Sequence, residues 1–238
     1  NLTILPLINE DSDGRTDEKN SFLGILLMIE DISSEKRMKS TMSRYMDPGI
    51  ADQLLEDGGD IMGGQDTTAT LLFSDLRSFT NITESLGAQG TVKLLNEYFE
   101  IMVECITEQG GMLDKFIGDA ILVFFGDPKT KGKEEDAVSC VSMAMEMLEK
   151  LNSLRMNWRK KGLAKPLNAR IGIHTGVCTV GNFGSEDRLD YTIIGNGVNL
   201  ASRLETSSQV NIILLSEDTY LLVRNKIACK NTKDFRKI

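Results

Sequence analysis

Two aspartates end apolar runs of the sequence, at points where a carboxylate could do chemistry. Asp75 closes the run in LLFSDLRSFT (71–80), and Asp119 lies between two apolar runs in DKFIGDAILVFFGD (114–127). An acid that ends a strand is typical of a helix N-cap, and an acid between two strands is typical of a tight turn. Two carboxylates that converge would instead form an oxygen-rich site suited to Mg²⁺ or Mn²⁺. Such a site binds nucleotide phosphates. The residues alone do not decide between a cap and a turn residue on one hand and a shared metal site on the other.

The elements around these aspartates follow the order strand, helix, hairpin, helix, strand. TTATLLFS, from Thr67, has the pattern of a strand, and LRSFTNITESLG that of a short helix or helical loop. An amphipathic helix follows and ends at Gly110–Gly111. Two strands then meet at a two-residue turn, Gly118–Asp119, and residues 135–161 form a long helix. Beyond it, ARIGIHTGVCTVGNF is predicted to be a strand, a glycine turn and a second strand. GNGVNLASRLETSS is predicted to be a helix, and NIILLSEDTYLLV a strand followed by a helical turn.

This order predicts an α+β fold with a ferredoxin-like βαββαβ core and extra strands and helices. A core of this kind supports many functions, so function must be argued from the site.

The first part of the chain differs in pattern. We expect residues 1–20 to be mainly loop. FLGILLMIEDISSEKR (22–37) is predicted to be a strand that leads into a helix, and it resembles the last strand and exit of a PAS sensor domain. Met38, Met42 and Tyr45 continue at helical spacing, which predicts a connecting helix. The glycine-rich stretch EDGGDIMGGQD, residues 56–66, then marks a boundary.

Composition narrows the class of protein. Hydrophobic residues make up 41% of the 238 residues and charged residues 26%, which predicts a soluble globular chain. A net charge of −8 without a long basic run argues against binding of nucleic acid. No signal-peptide pattern is present and the first residue is Asn1, so we expect a cytoplasmic fragment of a longer protein. The four cysteines are widely spaced, which favours reduced thiols, and the single histidine, His174, is interpreted as structural.

Four motifs occur in order along the chain: FSDLRSFT, KFIGDAILVFFG, RIGIHTGVCTVGNFG and YTIIGNGVNLASRLE. Together they closely resemble the catalytic domain of class III nucleotidyl cyclases over roughly residues 45–225. The resemblance implies two parts: residues 1–44 are the end of a PAS-like sensor with its connecting helix, and residues 45–238 are a cyclase homology domain. The third motif and Thr192 resemble most the bicarbonate-responsive branch, which includes cyanobacterial adenylate cyclases and the soluble mammalian enzyme. Activation by bicarbonate is a hypothesis from this branch resemblance.

The resemblance implies a reaction and its metal ions. Asp75 and Asp119, with a backbone carbonyl near Leu76, are expected to hold two Mg²⁺ or Mn²⁺ ions. The ribose 3′-hydroxyl of ATP would attack the α-phosphorus in line, and pyrophosphate would leave as 3′,5′-cyclic AMP forms. Catalysis of this kind consists mainly of positioning and charge neutralisation.

Two residues are expected to select the base. Lys115 matches the family's purine-selecting lysine, and its ammonium suits the N1 acceptor of adenine rather than the N1–H donor of guanine. Without the resemblance, Lys115 would be an ordinary solvent-facing lysine on a strand. Thr192 occupies the second base-selecting position, where most members of the family have Asp. A hydroxyl can also accept a hydrogen bond. This departure weakens adenine selectivity, and the choice of ATP follows from Lys115.

Asn199 and Arg203 lie four residues apart on one face of a predicted helix. By resemblance, Asn199 orients the ribose and Arg203 stabilises charge on the α-phosphate; otherwise they would be helix-surface residues. Arg188 is expected to contact the β- or γ-phosphate. A triphosphate lysine of the family is also expected near the C-terminus, where the candidates are Lys230, Lys233 and Lys237.

Lys115 and Asp119 are four residues apart, roughly 13 Å if extended, which is awkward for one small site. The family solves this with a head-to-tail homodimer. One protomer would supply Asp75, Asp119 and Arg188, and the other would supply the base-selecting residues with Asn199 and Arg203. An upstream sensor could then act by rotating the protomers. The alternatives are a guanylate cyclase, against which Lys115 argues, and a non-catalytic nucleotide-binding regulatory homologue.

Overall fold

The computed structural model describes residues 2–8, 22–29, 36–37, 40–41, 50, 63–77, 79–162, 167–185 and 188–230. They fall into two units, residues 1–58 and 59–238.

The first unit contains an antiparallel pair of strands, β1 (Leu2–Ile8) and β2 (Phe22–Ile29). The prediction of β2 is confirmed. The expectation of loop over the first residues is wrong for β1, because LTILPLI is apolar enough to pair along the whole of β2. Residues 36–37 and 40–41 are helical, whereas the side chains proposed to continue the connecting helix lie outside the described residues, as does the glycine-rich stretch before residue 63.

The second unit is one six-stranded sheet with helices on both faces. Its strand order is β4-β5-β3-β6-β7, with β8 parallel to β6 and all other pairs antiparallel. The predicted βαββαβ core is confirmed by β3, α1, β4, β5, α2 and β6. The elements are β3 (Gly63–Arg77), α1 (Phe79–Gln109), β4 (Met112–Ile117), β5 (Ala120–Phe125), α2 (Lys133–Lys160), β6 (Asn168–Ser185), β7 (Arg188–Ile194), α3 (Asn196–Ser207), β8 (Ile213–Leu215) and α4 (Glu217–Val223).

Alternation along β3 decides which helix covers which face of the sheet. Leu72 and Leu76 lie in the main hydrophobic core with buried residues of α1 and α2. Leu71 points to the opposite face, where it lies near Gly197 at the start of α3. Because successive side chains of a strand alternate between faces, Asp75 lies on the α3 face, together with its register partner Arg170 on β6. No helix among the described residues is long and apolar enough to cross a bilayer.

The structure corrects the prediction for residues 169–183. They form part of a single 18-residue strand, β6, and not two strands joined by a glycine turn. The glycines serve close packing instead. A Cβ at Gly172 would lie 2.2 Å from the backbone nitrogen of Glu205 on α3, and one at Gly181 would lie 2.1 Å from the carbonyl oxygen of Gly63 on β3. Strand β7 was not predicted, and β3 begins at Gly63, four residues before the expected start.

The sheet bends so that its end strands β4 and β7 meet. Lys115 on β4 pairs with Leu122, Leu122 pairs with Phe73, and Phe73 pairs with Gly172 of β6. Lys115 and Gly172 therefore lie in one row across the strands. Asp190 on β7 pairs with Phe183, eleven residues further along β6. The side chains of Lys115 and Asp190 nevertheless touch, which a flat sheet would not allow. This bending builds part of the candidate site.

Candidate active site

Asp75 and Asp119 come together at one end of the sheet. Asp75 follows Ser74, which pairs with Ile121, and Asp119 is in the two-residue turn before Ala120. Burial raises the pKa of Asp119, and the charge of Asp75 raises it further, while the backbone amides of Asp119 and Leu76 lower it. The two carboxylates are therefore close enough to repel each other.

This pair of acids fits a divalent cation. A half-buried carboxylate pair with mutual repulsion is stabilised by an ion of opposite charge. Among the residues that the structure describes, no group of three or more acidic, histidine or cysteine side chains gathers as a metal cluster. Mg²⁺ is commonly held by only one or two carboxylates, with substrate phosphates and water as the other ligands. Asp75 and Asp119 suit that mode, and the role of the Leu76 carbonyl stays a prediction.

Arg170 contacts Asp75 from the other side and also pairs with Glu205, and neither residue was predicted from the sequence. A guanidinium nitrogen of Arg170 lies 3.1 Å from Asp75 and 2.8 Å from Glu205. Burial raises the pKa of Glu205, and Arg170 partly offsets this effect. The only hint in the sequence was an arginine within the apolar strand pattern of RIGIH.

Lys115 and Thr192 are brought together by Asp114. The Asp114 side chain is fully buried, and its carboxylate lies 3.7 Å from the Lys115 ammonium. Burial raises the pKa of Asp114, whereas the Thr192 hydroxyl and Lys115 lower it. Neither carboxylate oxygen of Asp114 forms a hydrogen bond of good geometry with the described residues. The Thr192 hydroxyl therefore lies near Asp114 without a well-formed hydrogen bond to it. Asp114 is at the point where the β4–β5 register shifts, which a sequence pattern does not reveal.

Asp190 on β7 completes this cluster. It lies 2.7 Å from the Lys115 ammonium. Burial lowers the pKa of Lys115, but Asp190 and Asp114 outweigh it and the pKa is raised overall. Lys115 is thus held as a cation at neutral pH.

The remaining predicted residues lie on the surface of the second unit. Asn199 and Arg203 are exposed on α3, one helical turn apart, and Arg188 is exposed at the start of β7. Lys230 is exposed near the end of the described residues, whereas Lys233 and Lys237 lie outside them.

The histidine and the cysteines take no part in this site. The His174 side chain is buried on β6, and its Nδ1 lies 3.0 Å from the Ser216 hydroxyl. All four cysteines are free thiols.

Comparison with known proteins identifies several relatives. The family described as "Adenylate and Guanylate cyclase catalytic domain" matches residues 63–236. An adenylate cyclase of Anabaena cylindrica is 36% identical over 172 residues, which are 71% of this chain and 32% of that protein. The chain therefore spans about a third of the length of this relative.

Two solved structures are similar over the same region. The adenylyl cyclase CyaB from P. aeruginosa is 46% identical with a TM-score of 0.69, and the match covers 74% of this chain and 92% of that one. The guanylyl cyclase Cya2 is 37% identical with a TM-score of 0.67, and the match covers 74% and 90%. Relatives of both base specificities thus share this fold.

Proposed function

Because the chain belongs to the adenylate and guanylate cyclase catalytic domain family, we propose that it is an adenylate cyclase that converts ATP to 3′,5′-cyclic AMP and pyrophosphate. The observation that carries the choice of ATP is Lys115, whose raised pKa keeps it a cationic donor beside Thr192. Such a donor suits the N1 acceptor of adenine and opposes the N1–H of guanine. The adenylyl cyclase relative of 46% identity supports the same choice.

The proposed mechanism uses the two parts of the site differently. Asp75 and Asp119 would hold two Mg²⁺ or Mn²⁺ ions with the triphosphate. Bound there, the ions supply charge neutralisation and lower the pKa of the ribose 3′-hydroxyl. Asn199 orients the ribose, and Arg203 donates to the α-phosphate as negative charge develops on it. Arg188 contacts the triphosphate.

We further propose that the site is shared between two copies of the chain. The proposal rests on the exposure of Asn199 and Arg203 on α3, which leaves both available to a nucleotide held by the acids of another copy. In the longer protein, residues 1–44 would connect an upstream sensor to this cytoplasmic catalytic domain, residues 45–238. Bicarbonate is proposed as an activator, and an unchanged rate on adding bicarbonate at constant pH would refute that part.

The test is product analysis. We expect the purified chain with Mg²⁺ or Mn²⁺ to convert ATP, and not GTP, to the cyclic monophosphate, and the Asp75→Ala variant to be inactive. A guanylate cyclase is the second candidate, favoured by the similarity to Cya2, and cyclic GMP as the main product would establish it. No cyclic product from either nucleotide with a verified dimer would favour a nucleotide-binding regulatory homologue.

A further inference from the structure

The Tyr191 side chain makes a hydrogen bond that spans the sheet. Its hydroxyl donates to one carboxylate oxygen of Asp127, and the side-chain amide of Gln65 lies 3.3 Å from the other oxygen. Tyr191 belongs to β7 and Asp127 follows the end of β5, with strands β3 and β6 between them. In a flat sheet three strand spacings amount to about 14 Å, too far for perpendicular side chains to touch. The contact therefore depends on the bend of the sheet.

The chain after β5 is shaped for this contact. Gly126 has a φ of 114°, in the left-handed region that favours glycine, and a Cβ there would lie 2.8 Å from the Thr68 carbonyl oxygen on β3. Gly126 thus lets the chain turn close against β3, which brings Asp127 to Gln65 on that strand. Asp127 is only 9% exposed. Burying a carboxylate is costly unless it is hydrogen-bonded, so the Tyr191 hydroxyl supplies a partner that Asp127 needs.

Tyr191 lies in the segment that carries the neighbours of Lys115. It is flanked by Asp190, which pairs with Lys115, and by Thr192, which lies near Asp114 on β4. Strand β7 ends the main strand path, and its backbone pairs with β6. The position of β7 relative to β4 is therefore set by side chains, and Tyr191 is the one that ties this segment to the chain after β5.

We propose that Tyr191 and Asp127 are positioning residues whose hydrogen bond, the brace, holds β7 at the distance from β4 at which Lys115 and Thr192 meet the same base. Neither residue is proposed to touch the nucleotide. A hydrogen bond to a carboxylate is about twice as strong as one between neutral groups, so the brace resists displacement of β7. The inference rests on the proposed adenylate cyclase function and deepens it.

The test measures base preference in two ways. One is the ratio of kcat/KM for ATP to that for GTP, and the other is the ratio of affinities for 3′-deoxy-ATP and 3′-deoxy-GTP, which lack the attacking hydroxyl. Tyr191→Phe keeps the ring and removes only the hydroxyl. We expect it to lower both ratios by about 10-fold, within what a displacement of about 1 Å can cause.

Variants of Asp127 test whether the two residues act as a pair. Asp127→Ala should lower the ratios as much as Tyr191→Phe does. The double variant should lower them no further, because both changes break one hydrogen bond. Asp127→Asn retains an accepting oxygen for the Tyr191 hydroxyl and should stay close to the wild type.

Thr130→Val is the matched control. Like Tyr191→Phe, it removes a hydroxyl that donates to a buried aspartate, here Asp136 at the start of α2, in a contact that does not involve β7. Both variants should lower the melting temperature, whereas only Tyr191→Phe should change the base preference.

Two results would overturn the inference. One is a Tyr191→Phe variant with a lowered melting temperature and an unchanged base preference, which would make the bond purely structural. The other is a wild type that binds both 3′-deoxy nucleotides equally. A wild type that prefers GTP, or forms no cyclic product, refutes the proposed function instead. The brace then stands or falls with the loss of binding preference in Tyr191→Phe and Asp127→Ala.

Discussion

The ammonium of Lys115 lies 2.7 Å from the carboxylate of Asp190, although these residues belong to the two end strands, β4 and β7, of the main strand path of the sheet. Only a strongly bent sheet can bring these strands together. The bend also places Asp114 against Thr192, so the residues proposed to select the base are assembled by long-range geometry.

Mixing two inactive variants tests the shared site. Asp75→Ala lacks a proposed metal ligand and Lys115→Ala lacks the cation proposed to select the base, so each should be inactive alone. A mixed dimer has one site that lacks both residues and one intact site, and an equal mixture should recover about a quarter of wild-type activity. The measurement is cyclic AMP formation after co-refolding or co-expression. Verified mixed dimers without recovered activity would refute the shared site.

Replacing Asp119 by asparagine should change stability in opposite directions with and without metal. Burial and the charge of Asp75 disfavour an ionised Asp119, so the neutral amide should raise the melting temperature of the metal-free protein. The wild type should gain about 2.7 kcal/mol at a Mn²⁺ concentration of 100 times Kd, and Asp119→Asn should lose this gain.

Thermal unfolding with and without Mn²⁺ measures both effects of Asp119→Asn. Asp66→Asn is the control, because Asp66 is an exposed acid on β3, the strand that carries Asp75, and it accepts from the Thr179 hydroxyl. An equal response to Mn²⁺ in wild type and Asp119→Asn would contradict a metal site at this turn.

Removing Arg170 should destabilise the second unit. Arg170→Met would leave Glu205, whose side chain is only 5% exposed, without its cationic partner. Breaking a buried pair in this way costs about 3–5 kcal/mol, and adding Glu205→Gln should recover much of the loss. Trp158, the only tryptophan, is buried on α2 and reports unfolding by fluorescence in denaturant. Equal stability of the single and double variants would show that the pair is not coupled.

His174 should make stability depend on pH near neutrality. Burial lowers the pKa of His174 below its ordinary value of 6.5, although Asp218 partly opposes this. Below pH 6.5 the unfolded chain takes up a proton that the folded chain does not, so stability falls as the pH drops towards the lowered pKa. The slope for one proton approaches 1.4 kcal/mol per pH unit at about 25 °C.

The His174→Asn variant isolates this effect. The chain has only one histidine, so no other side chain has an ordinary pKa in this window. Asp114, Asp119 and Glu205 have raised pKa values and act with the opposite sign, but they are common to both proteins. Denaturation between pH 5 and 8 should therefore show a difference between wild type and variant that changes with pH. A constant difference would mean that His174 titrates normally.

Local chemistry explains which elements could be predicted from the sequence. The turn at Gly118–Asp119, the helix end before Gly110–Gly111 and helix α3 are set by residues close in sequence, and the structure confirms them. Strand β6 was misinterpreted because glycine within a strand is also typical of a turn. Gly172 is needed there since α3 approaches its backbone, which only the fold reveals.

The candidate site shows the same difference between features set by nearby residues and features set by tertiary packing. The approach of Asp75 to Asp119 follows from the order of a βαββ unit, and the sequence suggested it. Arg170 links Asp75 on β3 to Glu205 because α3 packs on β6, and Asp190 reaches Lys115 because the sheet bends. Contacts of this kind depend on tertiary packing, so residue spacing gave no means to find them.

Strand β6 runs without interruption from Asn168 to Ser185. Near its start Arg170 pairs with Asp75, and further along Gly181 pairs with Thr192. One strand therefore joins the acids proposed to hold metal to the residues proposed to select the base. We expect two regions joined by one continuous strand to move together. If the site is shared between two copies, its activity depends on the angle and offset between the two copies. A small change at their interface can then change the rate of catalysis without any loop closing over the nucleotide.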